Sequence, residues 1–293
     1  MAWLWLGVAA IKYLLLGAGG QLGTAFRSLL REQGQDCLAF DQEMDITDFE
    51  RLRQIFDNAG PDVVINCAAY NNVDRAEAEW RQAFMVNGIA VGGLAQLARE
   101  YGCVLVHYST DYVFDGEKRA PYTIADQPCP LSLYGESKLL GEEQLKLNGE
   151  RFFLIRTSWV FGQGNENFAT KLLQWAKNKT ELRVVTDQVS SPTYTRDLAQ
   201  ATLKLLETGR YGLYHVCNSG SCSRYEWAEF VLKQINWSGK LLPAKSADFD
   251  TPAARPQYSV LDSFPYSQLV GEDLPGWQEA TAHFLKEIGE ETP

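Results

Sequence analysis

Short apolar runs recur through the first half of the chain, and each ends in residues that an ordinary surface turn does not need. Lys12-Tyr13-Leu14-Leu15-Leu16 gives way to Gly17, and Cys37-Leu38-Ala39-Phe40 to Asp41. Val63-Val64-Ile65-Asn66 leads into Cys67-Ala68-Ala69, and residues 104–108 into Ser109-Thr110-Asp111. Residues 152–156 lead into Thr157-Ser158-Trp159. Runs that are apolar throughout, rather than alternating, are the pattern of parallel strands covered on both faces. Helix-period patterns lie between them: Leu22, Phe26, Leu29 and Leu30, then Phe49, Leu52, Ile55 and Phe56, then helices over about 83–101 and 134–147. This β-α repeat implies right-handed crossovers and an α/β fold, a Rossmann-like, doubly wound parallel sheet. Such sheets bind ligands beyond the carboxyl ends of their strands, which is where the unusual residues gather.

The first strand end reads Gly17-Ala18-Gly19-Gly20-Gln21-Leu22-Gly23 and opens a helix. Strand, glycine turn, helix is the context of a dinucleotide fingerprint. Gly17 would permit the tight turn, Gly20 the approach of a pyrophosphate, and Gly23 the packing of helix on strand. The spacing is Gly-x-x-Gly-x-x-Gly, so the loop alone is weak evidence and its context carries the reading. Asp41 lies where a dinucleotide fold places a carboxylate for a ribose 2′-hydroxyl. No arginine follows it at once to take a 2′-phosphate, which favours NADH, or use of both NADH and NADPH. Asn87 sits midway along its helix and reads as a surface position.

The fourth strand end is richer in chemistry. His107-Tyr108-Ser109-Thr110-Asp111 runs into a proline-bearing loop over 117–133, and Tyr134-Gly135-Glu136-Ser137-Lys138 follows. Tyrosine and lysine four residues apart share one helical face. A hydroxyl at a strand end beside such a pair can polarise and protonate a carbonyl oxygen, with the lysine expected to lower the phenol's pKa. The histidines 107, 215 and 283 are too scattered for a metal site, and none is proposed; His107 reads as core. Asp111, Asp115 and Asp126 read first as solvated loop acids.

Beyond Gly164 the texture changes. Helix patterns over 167–177, 197–207, 225–234 and 277–288 alternate with strand-like 182–185 and 212–216 and a proline-rich stretch over 239–265. We divide the chain into a dinucleotide-binding domain over 12–164 and a smaller α/β substrate-binding domain over 165–293, with segments free to exchange between them. The net charge of −10 and the lack of a basic run argue against nucleic acid polymers and anionic membranes as partners. The six cysteines form no Cys-x-x-Cys pair and read as reduced, buried small residues, pointing to the cytoplasm. Residues 1–11 are apolar but lack a basic start; they read as a short extension rather than a signal peptide, and no run is long enough for a spanning helix.

These blocks, over about residues 12–288, resemble the extended short-chain dehydrogenase/reductases, and within them the dTDP-4-dehydrorhamnose reductase family. The likeness rests on residues 17–23, 66–74 (Asn-Cys-Ala-Ala-Tyr-Asn-Asn-Val-Asp), 109–116 (Ser-Thr-Asp-Tyr-Val-Phe-Asp-Gly), 134–138, 156–162 (Arg-Thr-Ser-Trp-Val-Phe-Gly), 187–193 (Asp-Gln-Val-Ser-Ser-Pro-Thr) and 254–256 (Ala-Arg-Pro). The resemblance implies NADPH- or NADH-dependent reduction of the C4 keto group of a sugar nucleotide, dTDP-4-dehydro-L-rhamnose, with room for a homodimer. Thr110, Tyr134 and Lys138 would be catalytic. Gly20, Gln21, Leu22, Asp41, Asp45, Ile46, Ala69, Tyr70, Asn71 and Tyr108 would line the cofactor together with Tyr134 and Lys138. Thr110, Asp111 and Trp159 would touch the substrate, and Arg255 its diphosphate. Val189-Ser190-Ser191 stands where the family usually has a glycine, which bears on sugar fit. The alternatives are a non-catalytic NADP-binding regulatory subunit and another sugar-nucleotide reductase or epimerase.

Overall fold

The computed structural model describes residues 11–290, so the extension expected over 1–11 falls, Ile11 apart, outside the described residues. Strands β1 (Lys12–Leu16), β2 (Asp36–Phe40), β3 (Val63–Asn66), β4 (Val104–Thr110) and β5 (Phe152–Thr157) form one parallel sheet. Its order is β2-β1-β3-β4-β5, with Gly212–His215 added beside β5. The chain leaves β1 in one direction for β2 and later returns to its other side as β3. The strand ends of β1 and β3 therefore diverge at a topological switch point, and a crevice opens between them.

Both faces of the central strands are covered, as their apolar runs required, while the edge strand β2 leaves Leu38 exposed. Leu15, Ile65, Val106, Tyr108 and Ile155 pack on helix α1 (Gln21–Glu32) and helix Thr195–Glu207. Leu14, Leu16, Val64, Leu105 and Leu154 pack on helix α2 (Phe49–Ala59) and helix Ala90–Glu100. Leu14, Leu15 and Leu16 are fully buried, each burial stabilising the fold by roughly 1.5–3 kcal/mol. Asp48 starts α2 by accepting the Arg51 N–H, and Gly60 ends it in the left-handed region at φ 53°.

A second core gathers Trp159, Phe161, Leu172, Trp227, Val231 and Phe284. Around it lie helices Phe168–Asn178, Arg224–Gln234 and Trp277–Glu290 and the parallel pair Glu181–Val185 with Lys240–Ala244. The division at residue 164 is crossed by the chain. Gly212–His215 completes the first sheet, and helix Thr195–Glu207 covers the face of α1, so part of the second segment belongs physically to the first core.

The single helix expected over 83–101 is three pieces: Trp80–Phe84, a π-helical turn Met85–Ile89, and Ala90–Glu100. π-turns occur often at functional sites because the widened turn re-aims a side chain. Here the re-aimed side chain is Asn87, which is 1% exposed and not a surface residue.

Candidate active site

A cleft of about 440 Å³ opens at the switch point and runs toward the second core. On one side lies the glycine turn. Gly17 has φ 73°, and a Cβ there would stand 2.5 Å from the Ala68 backbone nitrogen, so the turn rests directly on the chain leaving β3. At Gly23 a Cβ would meet the Gly17 carbonyl oxygen at 2.2 Å, which is why helix and turn can close on each other. Gly20 differs: a Cβ would meet only the Gly17 oxygen, at 3.4 Å. Its open side belongs to the cleft, which Gly20, Gln21 and Leu22 line. No side chain caps α1, whose first residue is Gln21. Uncapped amides at a helix start suit an anionic group. The glycine turn therefore fits a dinucleotide pyrophosphate.

This separates two substitutions. Gly20→Ala should leave the urea midpoint of unfolding within about 0.5 kcal/mol of wild type, since surface changes without a clash rarely exceed that. It should weaken NADPH binding at least roughly tenfold by standing where backbone must meet phosphate. Fluorescence titration with NADPH, run beside the unfolding curve, measures both. Wild-type affinity in Gly20→Ala would remove the turn from the binding site.

Across the cleft stands the catalytic candidate set. Helix Leu133–Asn148 begins on Ser132, whose side chain accepts the Gly135 N–H, and carries Tyr134 and Lys138 inward. The Lys138 ammonium donates to the Tyr108 carbonyl oxygen at 2.6 Å. Burial brings Lys138 down to about 8, partly countered by the negative charge of Glu142. Burial likewise pushes the Tyr134 phenol well above its ordinary range, an effect the Thr110 hydroxyl moderates. The expected lowering of Tyr134 by Lys138 is thus reversed: the ammonium is committed to a carbonyl, and desolvation dominates the phenol.

Thr110 closes β4. Its hydroxyl accepts the Tyr112 N–H at 3.1 Å and donates to Asp111 Oδ1 at 3.0 Å. Asp111 is not a solvated acid. It is 2% exposed and also accepts from Ser259 Oγ at 2.5 Å and Ser190 Oγ at 3.3 Å. Burial brings its carboxyl up to about 6, with those hydroxyls pulling the other way. Ser190, in the loop that departs from the family pattern, is therefore a direct support of the site. Asp115 and Asp126 do lie on the loop, bonded to Tyr122 and Lys118.

Of the expected residues, Gly20, Gln21, Leu22, Ala69, Asn71, Tyr108, Thr110, Asp111, Tyr134, Lys138 and Trp159 all line this one cleft. Gly17 and Gly23 build the turn beneath it. The Asp41 carboxylate lies against Gly19, close enough that a Cβ there would be 2.4 Å from it. Asp45 binds its own turn through Thr47, and Ile46 is core beside Leu16. Tyr70 is held through its backbone by Asn87, whose amide accepts the Tyr70 N–H at 2.8 Å and donates to its carbonyl at 2.9 Å. Asn87 also donates to Ser137 Oγ at 3.0 Å, so one buried amide ties the loop after β3 to the tyrosine–lysine helix.

Arg255 stands beside the cleft, within electrostatic reach of Tyr112 and Arg224. It does not line the cleft; it donates to Asp74 Oδ2 at 2.7 Å and to the Ala253 carbonyl. The cation that does line the cleft beside Trp159 is Arg224, which sequence reasoning passed over. His107 is core and neutral, held well below its ordinary pKa first by burial and then by the charge of Lys138. Among the described residues no cluster of histidine, cysteine or carboxylate side chains could hold a metal ion.

Comparison with known proteins shows the family and the fold. The family model of the RmlD substrate binding domain matches residues 11–290. The spore coat polysaccharide biosynthesis protein SpsK of Bacillus subtilis is 40% identical, over 94% of this chain and 97% of that protein. The dTDP-4-dehydrorhamnose reductase of Escherichia coli is 34% identical, over 95% and 98%. A crystal structure of dTDP-4-dehydrorhamnose reductase from Bacillus anthracis in complex with NADP superposes with a TM-score of 0.92 at 36% identity, covering 95% of this chain and all of that one.

Proposed function

We propose that this chain, which belongs to the RmlD substrate binding domain family, reduces the C4 keto group of dTDP-4-dehydro-L-rhamnose to give dTDP-L-rhamnose, using NADPH or NADH. The observation that carries the proposal is convergence: Thr110, Tyr134 and Lys138 line the same cleft as the uncapped start of α1. The reduced nicotinamide, when bound, supplies the hydride that adds to C4. The chain must then deliver one proton to the oxygen that becomes a hydroxyl. Tyr134 suits that task because burial keeps its phenol protonated at working pH. Thr110 would orient the carbonyl. Its single proton goes to Asp111, so it must turn toward the substrate; Ser190 and Ser259 keep Asp111 satisfied when it does. Lys138 would hold the ribose of the nicotinamide.

The same reading gives a cytoplasmic enzyme whose product feeds polysaccharide assembly. No helix among the described residues is long and apolar enough to cross a membrane. The direct test follows the absorbance of NADPH and of NADH with dTDP-4-dehydro-L-rhamnose and identifies the sugar formed. Oxidation only with a different 4-keto sugar nucleotide would move the activity elsewhere in the superfamily.

The pH profile offers a second check. With its pKa near 8, Lys138 is cationic below that value and neutral above it. Affinity for NADPH should therefore fall as pH rises through about 8. Lys138→Arg stays charged throughout and should flatten this limb, whatever its absolute affinity. A wild-type affinity constant from pH 7 to 9.5 would refute the assignment.

A further inference from the structure

Among the described residues, the cations lining the cleft are Lys138 and Arg224. Lys138 donates to the Tyr108 carbonyl, and its role here is toward the nicotinamide ribose. Arg224 has a different setting. It opens helix Arg224–Gln234, and its backbone N–H is taken by the Gln188 carbonyl. Its guanidinium carbon lies 3.6 Å from the Trp159 ring centroid, 4.9 Å from that of Phe168 and 5.6 Å from that of Trp227. No carboxylate reaches ion-pair distance of it among the described residues, whereas Arg255 is paired with Asp74. The charged and titratable groups that act on it are Asp111, Tyr112, Cys222 and Arg255. Asp111 is already satisfied by hydroxyls.

The Tyr112 hydroxyl takes one hydrogen bond from the guanidinium; a guanidinium lying over an indole keeps its remaining N–H groups in its own plane, where they match the geometry of phosphate oxygens. A half-buried cation without a paired anion is costly, and so is a diphosphate without a cation. We propose that Arg224, not Arg255, anchors the diphosphate of the sugar nucleotide, with Trp159 as the platform that orients it. This rests on the reading that the substrate is a sugar nucleotide, and it adds which side chain selects for the diphosphate.

Calorimetric titration with dTDP and with dTMP, each in the presence of NADPH, tests it on wild type, Arg224→Gln, Arg224→Lys and Arg255→Gln. Charge-assisted hydrogen bonds are worth roughly 1.5–3 kcal/mol, or about 10–100-fold in affinity. Arg224→Gln should lose about that factor for dTDP and less for dTMP, with NADPH affinity within about twofold of wild type, which also reports an intact fold. Arg224→Lys, keeping charge without the planar fork, should fall between. Arg255→Gln should stay near wild type. Equal losses for dTDP and dTMP, an unchanged dTDP affinity in Arg224→Gln, or a larger loss in Arg255→Gln would overturn the assignment. Failure of the activity looks different: dTDP binding that depends on Arg224, with no turnover of the keto sugar, leaves the anchor standing and removes the reductase. Turnover with a wild-type KM in Arg224→Gln does the reverse.

Discussion

Tyr134→Phe should lower kcat for reduction of the keto sugar by about 10²–10⁴-fold, the range a positioned general acid contributes. The fold should hold. Tyr134 is buried at the edge of a small cluster with Ala76 and Ala83, and its ring meets that of Tyr112 edge to face at 6.0 Å and 81°, contacts that phenylalanine keeps. Among the described residues, no group depends on its hydroxyl except Thr110, which has other partners. NADPH affinity should stay within a few-fold, because Lys138 is untouched and holds the Tyr108 carbonyl independently. The pairing of lost kcat with retained cofactor binding is the diagnostic. A Tyr134→Phe protein within tenfold of wild-type turnover would leave the cleft without its proton donor, and the mechanism would have to pass through Thr110 or solvent. Because the phenol is held protonated by burial, no alkaline limb from Tyr134 is expected between pH 6 and 9. A strongly lowered phenol would instead titrate inside that window.

What the sequence made legible was the part governed by short-range pattern. Fully apolar strands, glycines spaced to let backbone meet backbone, and a Tyr-x-x-x-Lys helix all show in local residue order, and the structure brings them to one edge of one sheet. What stayed hidden depends on contacts between distant segments. Asn87 looks like a polar position on a helix. Only the π-turn and the partners Tyr70 and Ser137, 17 and 50 residues away, make it an internal strut. The signal available was an asparagine followed by Gly88 inside the apolar stretch that runs from Ala83 to Ala95. Asp111 reads as a loop acid until Ser190 and Ser259 arrive from the second half of the chain. Arg224 follows the N-cap Ser223, where an arginine has no special meaning, and becomes notable only because Trp159 lies under it. The boundary at 164 follows a change of texture in the sequence. It was crossed because the edge beside β5 is filled by a strand that comes some 55 residues later, a pairing that no local pattern announces.

The largest effect on stability should come from Glu142, one turn beyond Lys138 on the same helix. Its carboxylate is fully buried and accepts from Arg156 Nε at 2.7 Å, Arg156 Nη2 at 2.6 Å and Ser109 Oγ at 2.7 Å. Arg156 is itself 1% exposed, with His215 Nε2 at 3.4 Å from its other terminal nitrogen. Burial brings His215 down to about 3, and its Nδ1 faces the Tyr122 carbonyl at 3.0 Å, so the ring stays neutral and accepts from the arginine. Glu142→Leu would strand that guanidinium, and the expected cost is roughly 3–5 kcal/mol. Glu142→Leu combined with Arg156→Met should recover much of it, since two apolar residues replace two charges. Urea unfolding of wild type, both single variants and the double variant closes the cycle; simple additivity would mean that the pair is not coupled. The pH dependence has a definite sign. Burial would raise the Glu142 carboxyl, but Arg156, joined by Ser109 and Lys146, more than offsets it and holds the group below its ordinary value. Its contribution is therefore full above the unfolded pKa and is lost as pH falls through the lower folded value, and the double variant should lack that acid limb. The same substitution reaches the cleft. Glu142 is the charge that partly supports the Lys138 ammonium, so a neutral residue there should move the alkaline limb of NADPH binding below about 8 in whatever fraction remains folded. Stability of the buried pair and the working pH of the cofactor site then depend on one carboxylate, and a variant that lost stability while leaving that limb in place would separate them.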